Sequence, residues 1–252
     1  PSQHCRRIYG RLAGSLRPGQ AVVSLTKGIE KSTLKRMTEI MTECFAPVMP
    51  PLAVLSGPSF AKEVAEGHPT ALVLASPDIE LSRRLQQKLS SSSLRVYTTR
   101  DLVGVELCGA LKNVIAIAAG ISDALQFGHN SRASLLTRGL AEISRLGTKL
   151  GAQRRTFAGL AGMGDLVLTC TGHLSRNRRV GLELGAGRPL AEIVGEMRAV
   201  AEGIPTTLSA FHLAKREAVE MPIIEQVYAI LYRRKEPRRA LDDLMSRGLK
   251  DE

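Results

Sequence analysis

Lys112 stands at the centre of GVELCGALKNVIAIAAG, residues 104–120, with apolar and small side chains for several turns on either side. At helical spacing Gly104, Cys108, Ala116 and Gly120 share its face, which predicts a small, uncharged wall around the amine. Little water reaches a group so placed. Desolvation disfavours the ammonium form, so the pKa is expected to fall towards neutrality. That suits a proton donor, which works best with a pKa near the operating pH. A lysine at a helix end that snorkels to solvent explains this stretch equally well when it is taken alone.

Four further segments carry groups that could contact a polar ligand. In Thr26, Lys27 and Gly28, the lysine can reach a negative ligand while the glycine permits close backbone approach. In Gly57, Pro58 and Ser59, a glycine opens the backbone, a proline stiffens it and a hydroxyl can donate. Gly162, Met163, Gly164 and Asp165 put an acid between glycines and an apolar triplet, where it could accept from a substrate hydroxyl or orient Lys112. Ser175, Arg176 and Asn177 then offer a hydroxyl, a planar cation and an amide at a helix start, the combination that phosphate binding uses. Arg178 and Arg179 read as surface charges. Each loop alone also reads as a turn with incidental polar groups; their combination carries the argument.

The elements that must position these groups fall into two parts. Apolar runs at 21–25, 52–56, 70–76 and 94–98 alternate with helical stretches, among them 32–45 with Ser32 or Thr33 as cap, 61–66 and 78–89. Pro18 with Gly19, and Pro47 with Pro50 and Pro51, are breakers. This pattern predicts an α/β fold: a partial doubly wound, largely parallel Rossmann-type sheet over residues 1–97. From Asp101 onwards only helical patterns follow, so residues 98–252 form a helical substrate and catalytic domain. Ligands of such sheets gather outside the carboxyl ends of the strands, where Lys27 and Gly57 fall.

Composition narrows the function classes. The chain has 252 residues, is 44% hydrophobic and carries a net charge of +11. Only 4% of residues are aromatic and they are not interleaved with the cations, which argues against nucleic acid as partner. The longest apolar run is broken by Glu106, Lys112 and Asn113, so no membrane insertion is expected. Cysteines 5, 44, 108 and 170 form no CxxC pair, which points to reduced cytoplasmic thiols and no metal site; Cys170 with His173 is a weak metal signal. No strand followed by GxGxxG exists, and a leading βαβ portion is expected to lie outside this sequence, leaving this chain weak in cofactor binding and in activity alone.

Taken together, SLTKGIE (24–30), LSGPSFAKEVAEGHPTALVLAS (55–76), LCGALKN (107–113), GDLVLTC (164–170), SRNRR (175–179) and AEGIPTT (201–207) closely resemble the bacterial-type NAD(P)-dependent sn-glycerol-3-phosphate dehydrogenase family. The resemblance covers nearly the whole chain. It implies reduction of dihydroxyacetone phosphate to sn-glycerol 3-phosphate, a precursor of glycerophospholipids, with NAD or NADP as cofactor. It implies that Lys112 transfers the proton and that Lys27, Gly57, Ser59, Asp165, Ser175, Arg176 and Asn177 hold the substrate. Lys27, Ala61, Arg176, Val200 and Glu202 would lie against the cofactor, with Asn113 and Thr169 as polar support. A cytoplasmic location and a homodimer are the matching expectations; the choice between NAD and NADP stays open. Two alternatives also stay open at this point: a related hydroxyacid dehydrogenase, and a non-catalytic basic module that binds phosphate or nucleic acid.

Overall fold

The computed structural model describes residues 1–17, 19–46, 48–197 and 199–249, so the breakers expected at Pro18 and Pro47 lie outside the described residues. Among the described residues, β1 (Val22–Ser24), β2 (Leu52–Ser56), β3 (Thr70–Ala75) and β4 (Leu94–Thr99) form one sheet in that order. β1 pairs with β2 and β3 with β4 in parallel, but β2 and β3 run antiparallel. The connection explains that central reversal. It carries only α3 (Ala61–Ala65), five residues long, whose rise of about 7.5 Å is too short to return along a strand.

Apolar residues on alternate positions of the strands face different partners. Ala53, Leu55, Leu72, Leu74 and Val96 pack with Leu81 of α4 (Ile79–Leu89). Val54 and Ala75 point the other way, onto Val105 and Ala161. α1 (Cys5–Ala13) and α2 (Met37–Cys44) add a separate cluster of Tyr9, Met37, Ile40, Met41 and Phe45 against Val22 and Leu52. Asp78 caps α4 by accepting the N–H groups of Glu80 and Leu81 at 2.9 and 3.0 Å.

α2 starts at Met37, not at residue 32, and neither Ser32 nor Thr33 is its cap. The hydroxyl of Thr33 donates instead to Glu30 at 2.5 Å, and Leu34, at φ +60°, turns a tight loop closed by Leu34 N–H to Glu30 O at 2.9 Å. The first N–H of the helix end, from Arg36, is taken by Glu39 at 2.8 Å. A buried carboxylate paired with Arg6 therefore outcompetes the local capping signal.

α5 (Leu102–Ala124) is the axis of the helical part. By length and composition it could cross a membrane, contrary to the expectation that its three polar residues exclude this, yet 83% of its apolar window is buried inside the protein. Leu107, Leu111, Val114, Ile115 and Ile117 are fully buried, each contributing about 1.5–3 kcal/mol. Asp101 anchors its start, accepting from Gly104 N–H at 2.9 Å, Gln153 N–H at 2.8 Å and Thr156 Oγ1 at 2.6 Å.

Around α5 lie α6 (Gly128–Lys149), α7 (Arg154–Ala158), α8 (Asp165–Thr171), α9 (Arg176–Gly185), α10 (Leu190–Glu196), α11 (Gly203–Arg216), α12 (Pro222–Arg233) and α13 (Pro237–Met245). Between α7 and α8, Leu160–Gly164 forms a π-helical turn in place of the expected loop, so Asp165 opens a helix. α5 and α9 cross backbone to backbone. A Cβ on Gly181 would strike the Ile117 carbonyl oxygen, and one on Gly120 would strike that of Arg178.

Candidate active site

Lys112 lies in the middle of α5, only 6% exposed, and reaches across to α8. Its ammonium pairs with Asp165 Oδ1 and donates to Thr169 Oγ1 at 2.6 Å. Thr169 in turn donates to the Asp165 carbonyl oxygen at 2.6 Å, a bond between successive turns of α8. Lys27, from the loop after β1, places Nζ 2.7 Å from Asp165 Oδ2 and 3.2 Å from the Gly57 carbonyl oxygen. One carboxylate, 1% exposed, thus holds two ammonium groups, one on each oxygen.

Burial pushes the Lys112 pKa down to about 8, and the positive charge of Lys27 adds to the fall while Asp165 opposes it. The direction agrees with the sequence expectation, but the wall around the amine does not. Gly104 packs against Asp101 and Thr156, and Gly120 against α9, so these two glycines admit neighbouring helices. A carboxylate and a second cation supply the surroundings of Lys112. Helical spacing lists neighbours on the same helix only, and these partners come from elsewhere.

Above this cluster is a cavity of about 310 Å³. Lys27, Lys112, Asn113 and Thr169 form one part of its lining, and Ser175, Arg176 and Asn177 another. Val200 and Glu202 complete it from the segment before α11. Of the expected residues, Gly57, Ser59, Ala61 and Asp165 are outside this lining. Asp165 lies beneath the two lysines. Gly57, at φ +135° and hard against Leu72, is reached through Lys27. Ser59 turns its hydroxyl back to the Gly57 carbonyl oxygen at 3.1 Å, and Ala61 is exposed at the start of α3.

The residues at the start of α9 divide their tasks. Ser175 caps the helix, accepting from Arg178 N–H at 3.2 Å. Asn177 donates to Asn113 Oδ1 at 2.8 Å and accepts from Gly203 N–H at 2.8 Å, tying α9 to α5 and α11. Arg176 is exposed, and its guanidinium has no hydrogen-bond or ion-pair partner among the described residues. Arg178 is no surface charge: it donates to Asp123 at 2.9 and 2.6 Å, whereas the Arg179 side chain is 71% exposed. Glu202 accepts from the backbone N–H and hydroxyl of Ser2 at 2.9 and 2.5 Å.

Sequence reasoning missed Phe60, Leu174 and Leu25 as lining residues. Their only signal was closeness in sequence to Ser59, Ser175 and Lys27. Cys170 is fully buried and His173 exposed, so the pair singled out as a metal signal is divided.

Models of the two parts of NAD-dependent glycerol-3-phosphate dehydrogenase match this sequence, the N-terminus over residues 1–82 and the C-terminus over residues 101–242. The chain belongs to this family. It is similar to glycerol-3-phosphate dehydrogenase (NAD(P)+) of Geobacter sulfurreducens, at 56% identity over all of this chain and 76% of that protein. The corresponding protein of Koribacter versatilis is also 56% identical, over 98% of this chain and 74% of its own length. Among solved structures, glycerol-3-phosphate dehydrogenase from Coxiella burnetii superposes with a TM-score of 0.93 at 41% identity, covering 98% of this chain and 75% of that one. The yeast enzyme GPD1, from Saccharomyces cerevisiae, gives 0.83 at 26% identity over 96% and 72%. Membership makes this chain an NAD(P)-dependent oxidoreductase of the glycerol-3-phosphate dehydrogenase family.

The residues present fit the nicotinamide end of such a cofactor. Arg176 offers a cation without a partner among the described residues, Lys27 a cation already paired with Asp165, and Val200, 46% exposed, an apolar wall. Glu202 adds an acceptor at the same rim.

Proposed function

We propose that this chain interconverts dihydroxyacetone phosphate and sn-glycerol 3-phosphate in the 310 Å³ cavity, with Lys112 as the proton-transfer group. The product feeds glycerophospholipid synthesis. Within the proposal, residues 1–97 belong to the dinucleotide-binding domain and residues 98–252 form the substrate domain. The observation that carries the reading is a lysine 6% exposed yet on a cavity wall, with its pKa lowered to about 8.

In the reducing direction Lys112 donates its proton to the ketone oxygen as negative charge grows there. Its ammonium also stabilises that charge in surroundings with little water, where such a contact is worth more than in solution. Asp165 keeps the amine protonated and aimed, and Thr169 fixes its second hydrogen. Lys27 lies beside the same oxygen's path and contributes positive charge. Arg176 and the N-terminus of α9 take the substrate phosphate, which holds the ketone next to Lys112. Gly57 and Ser59 support Lys27 and the loop edge, and Asn113 with Asn177 holds α9 in place. Lys27, Ala61, Arg176, Val200 and Glu202 would hold the cofactor. When bound, the nicotinamide supplies or accepts the hydride.

The test is Lys112→Ala, assayed with NADH or NADPH and dihydroxyacetone phosphate. Removing a positioned acid is expected to cut kcat about 10²–10⁴-fold with a smaller change in KM. Equal losses in both would remove the assignment.

A homodimer and a cytoplasmic location belong to the same proposal. The stacked Phe211, Tyr228 and Tyr232 on α11 and α12, with centroids 3.9 and 5.4 Å apart and partly exposed, support a contact surface. Four free cysteines support a reducing compartment. Light scattering tests the first, and fractionation the second.

A further inference from the structure

Gly109 lies one turn before Lys112 on α5, and two groups press on its bare face. A Cβ there would stand 3.1 Å from Ser56 Oγ, 3.3 Å from Lys27 Cγ and 3.6 Å from Lys27 Cδ. The stem of Lys27 and the hydroxyl of Ser56 therefore share the space that any side chain at 109 would take. Ser56 is the last residue of β2, 3% exposed, and its hydroxyl finds no hydrogen-bond partner among the described residues. A buried orphan hydroxyl is unfavourable, so its smallness at this spot is the feature in need of explanation.

Lys27 supplies it. To reach Asp165 at 2.7 Å its side chain must pass between the sheet end and α5, and it does so at Gly109. The helix has little freedom to turn away there, since the Gly109 carbonyl oxygen accepts from Asn113 at 3.2 Å and the flanking residues 107, 108, 110 and 111 are buried. We propose that Gly109 and Ser56 are positioning residues that set the path of Lys27, and through it the separation of the Lys27 and Lys112 ammonium groups on Asp165. The inference rests on the reading of Lys112 as the proton-transfer group only for its catalytic consequence.

A methyl group at 109 leaves contacts of 3.1 and 3.3 Å that something must relieve. Ser56 is held in the sheet by its pairing with Val73 of β3, so the flexible stem of Lys27 gives way and its ammonium withdraws from Asp165. The charged groups around Lys112 are Asp165 on α8, Lys27, and Arg176 and Glu202 across the cavity, with the Cys170 thiol behind. Of these only Lys27 passes Gly109. Losing its nearby positive charge raises the Lys112 midpoint.

The experiment follows the Lys112 side chain by NMR through a pH titration of the folded chain, and in parallel the pH profile of dihydroxyacetone phosphate reduction. Wild type is expected to titrate near 8. Lys27→Met sets the limit, with the midpoint rising by about one pH unit or more. Gly109→Ala is expected to rise part of the way, and Gly109→Ala with Ser56→Ala to return towards wild type, because the lost Oγ vacates the 3.1 Å contact. Alanine is the better helix former, so the fold of Gly109→Ala is expected to hold. Should it fail, Ser56→Val narrows the same space from the sheet side and predicts the same rise. A wild-type midpoint in Gly109→Ala or Ser56→Val beside a raised one in Lys27→Met overturns the proposal, as does an unmoved Lys27→Met. If the NMR midpoints move as described while the turnover profile ignores them, the positioning stands and the role of Lys112 in proton transfer falls.

Discussion

Asp165→Asn isolates the electrostatic logic of the site, because it keeps the shape of the side chain and removes one charge from between two cations. Lys112, at about 8, is about 90% protonated at pH 7. A carboxylate in contact with an amine raises its pKa by roughly 1–3 pH units, so without it the midpoint falls to roughly 5–7. The protonated fraction at pH 7 then drops to between about one half and about one hundredth, which slows ketone reduction between about 2-fold and about 90-fold. The sign gives the assay its power. The limb of the pH profile must move towards acid, so the deficit shrinks as the assay pH is lowered below the new midpoint. Lys27→Met added to Asp165→Asn removes the remaining facing cation and moves the midpoint part of the way back. Steady-state reduction measured from pH 5 to 9, with thermal unfolding to confirm the fold, decides it. A midpoint that stays near 8 in Asp165→Asn, with activity merely scaled down, refutes the reasoning.

Arg176→Ala removes the unpartnered guanidinium and is expected to raise the KM for dihydroxyacetone phosphate about 10–100-fold, the loss of a charge-assisted contact, with kcat changed less; an unaltered KM counts against the phosphate assignment. Glu142, 3% exposed on α6, accepts from the N–H groups of Ile223 and Ile224 at 2.7 and 3.3 Å, and burial raises its pKa to about 7. Because the folded value is the higher one, its protonated form contributes stability fully below about 4.5, and this is lost as pH rises through about 7. Glu142→Gln should flatten that slope, worth about 3 kcal/mol, in denaturant unfolding measured at several pH values. Gly181→Ala forces a methyl group against the Ile117 carbonyl and should destabilise by at least about 1–3 kcal/mol in the same assay; a wild-type midpoint would mean that α5 and α9 can part without cost.

Strands β2, β3 and β4 were legible because their signals are local: apolar runs of the right length. α2 was misread because Thr33, a good cap by type, is claimed by Glu30, which in turn is held by Arg6 from another element. The antiparallel pairing of β2 with β3 was illegible for the same reason: a periodicity shows that a strand exists, not the direction in which it is laid beside another.

From residue types and spacing alone came an amine expected to be poorly hydrated within an apolar helix and a candidate phosphate-binding set at 175–177; the proton-transfer role of Lys112 came only with the family resemblance. Which groups surround that amine was decided only by the folded chain. Asp165 is 53 positions from Lys112 and 138 from Lys27, and both lysines meet on its two oxygens. Helix and strand periods report neighbours a few residues away. The charge balance that tunes a buried lysine depends on groups brought close by packing, and distance in sequence holds no record of it.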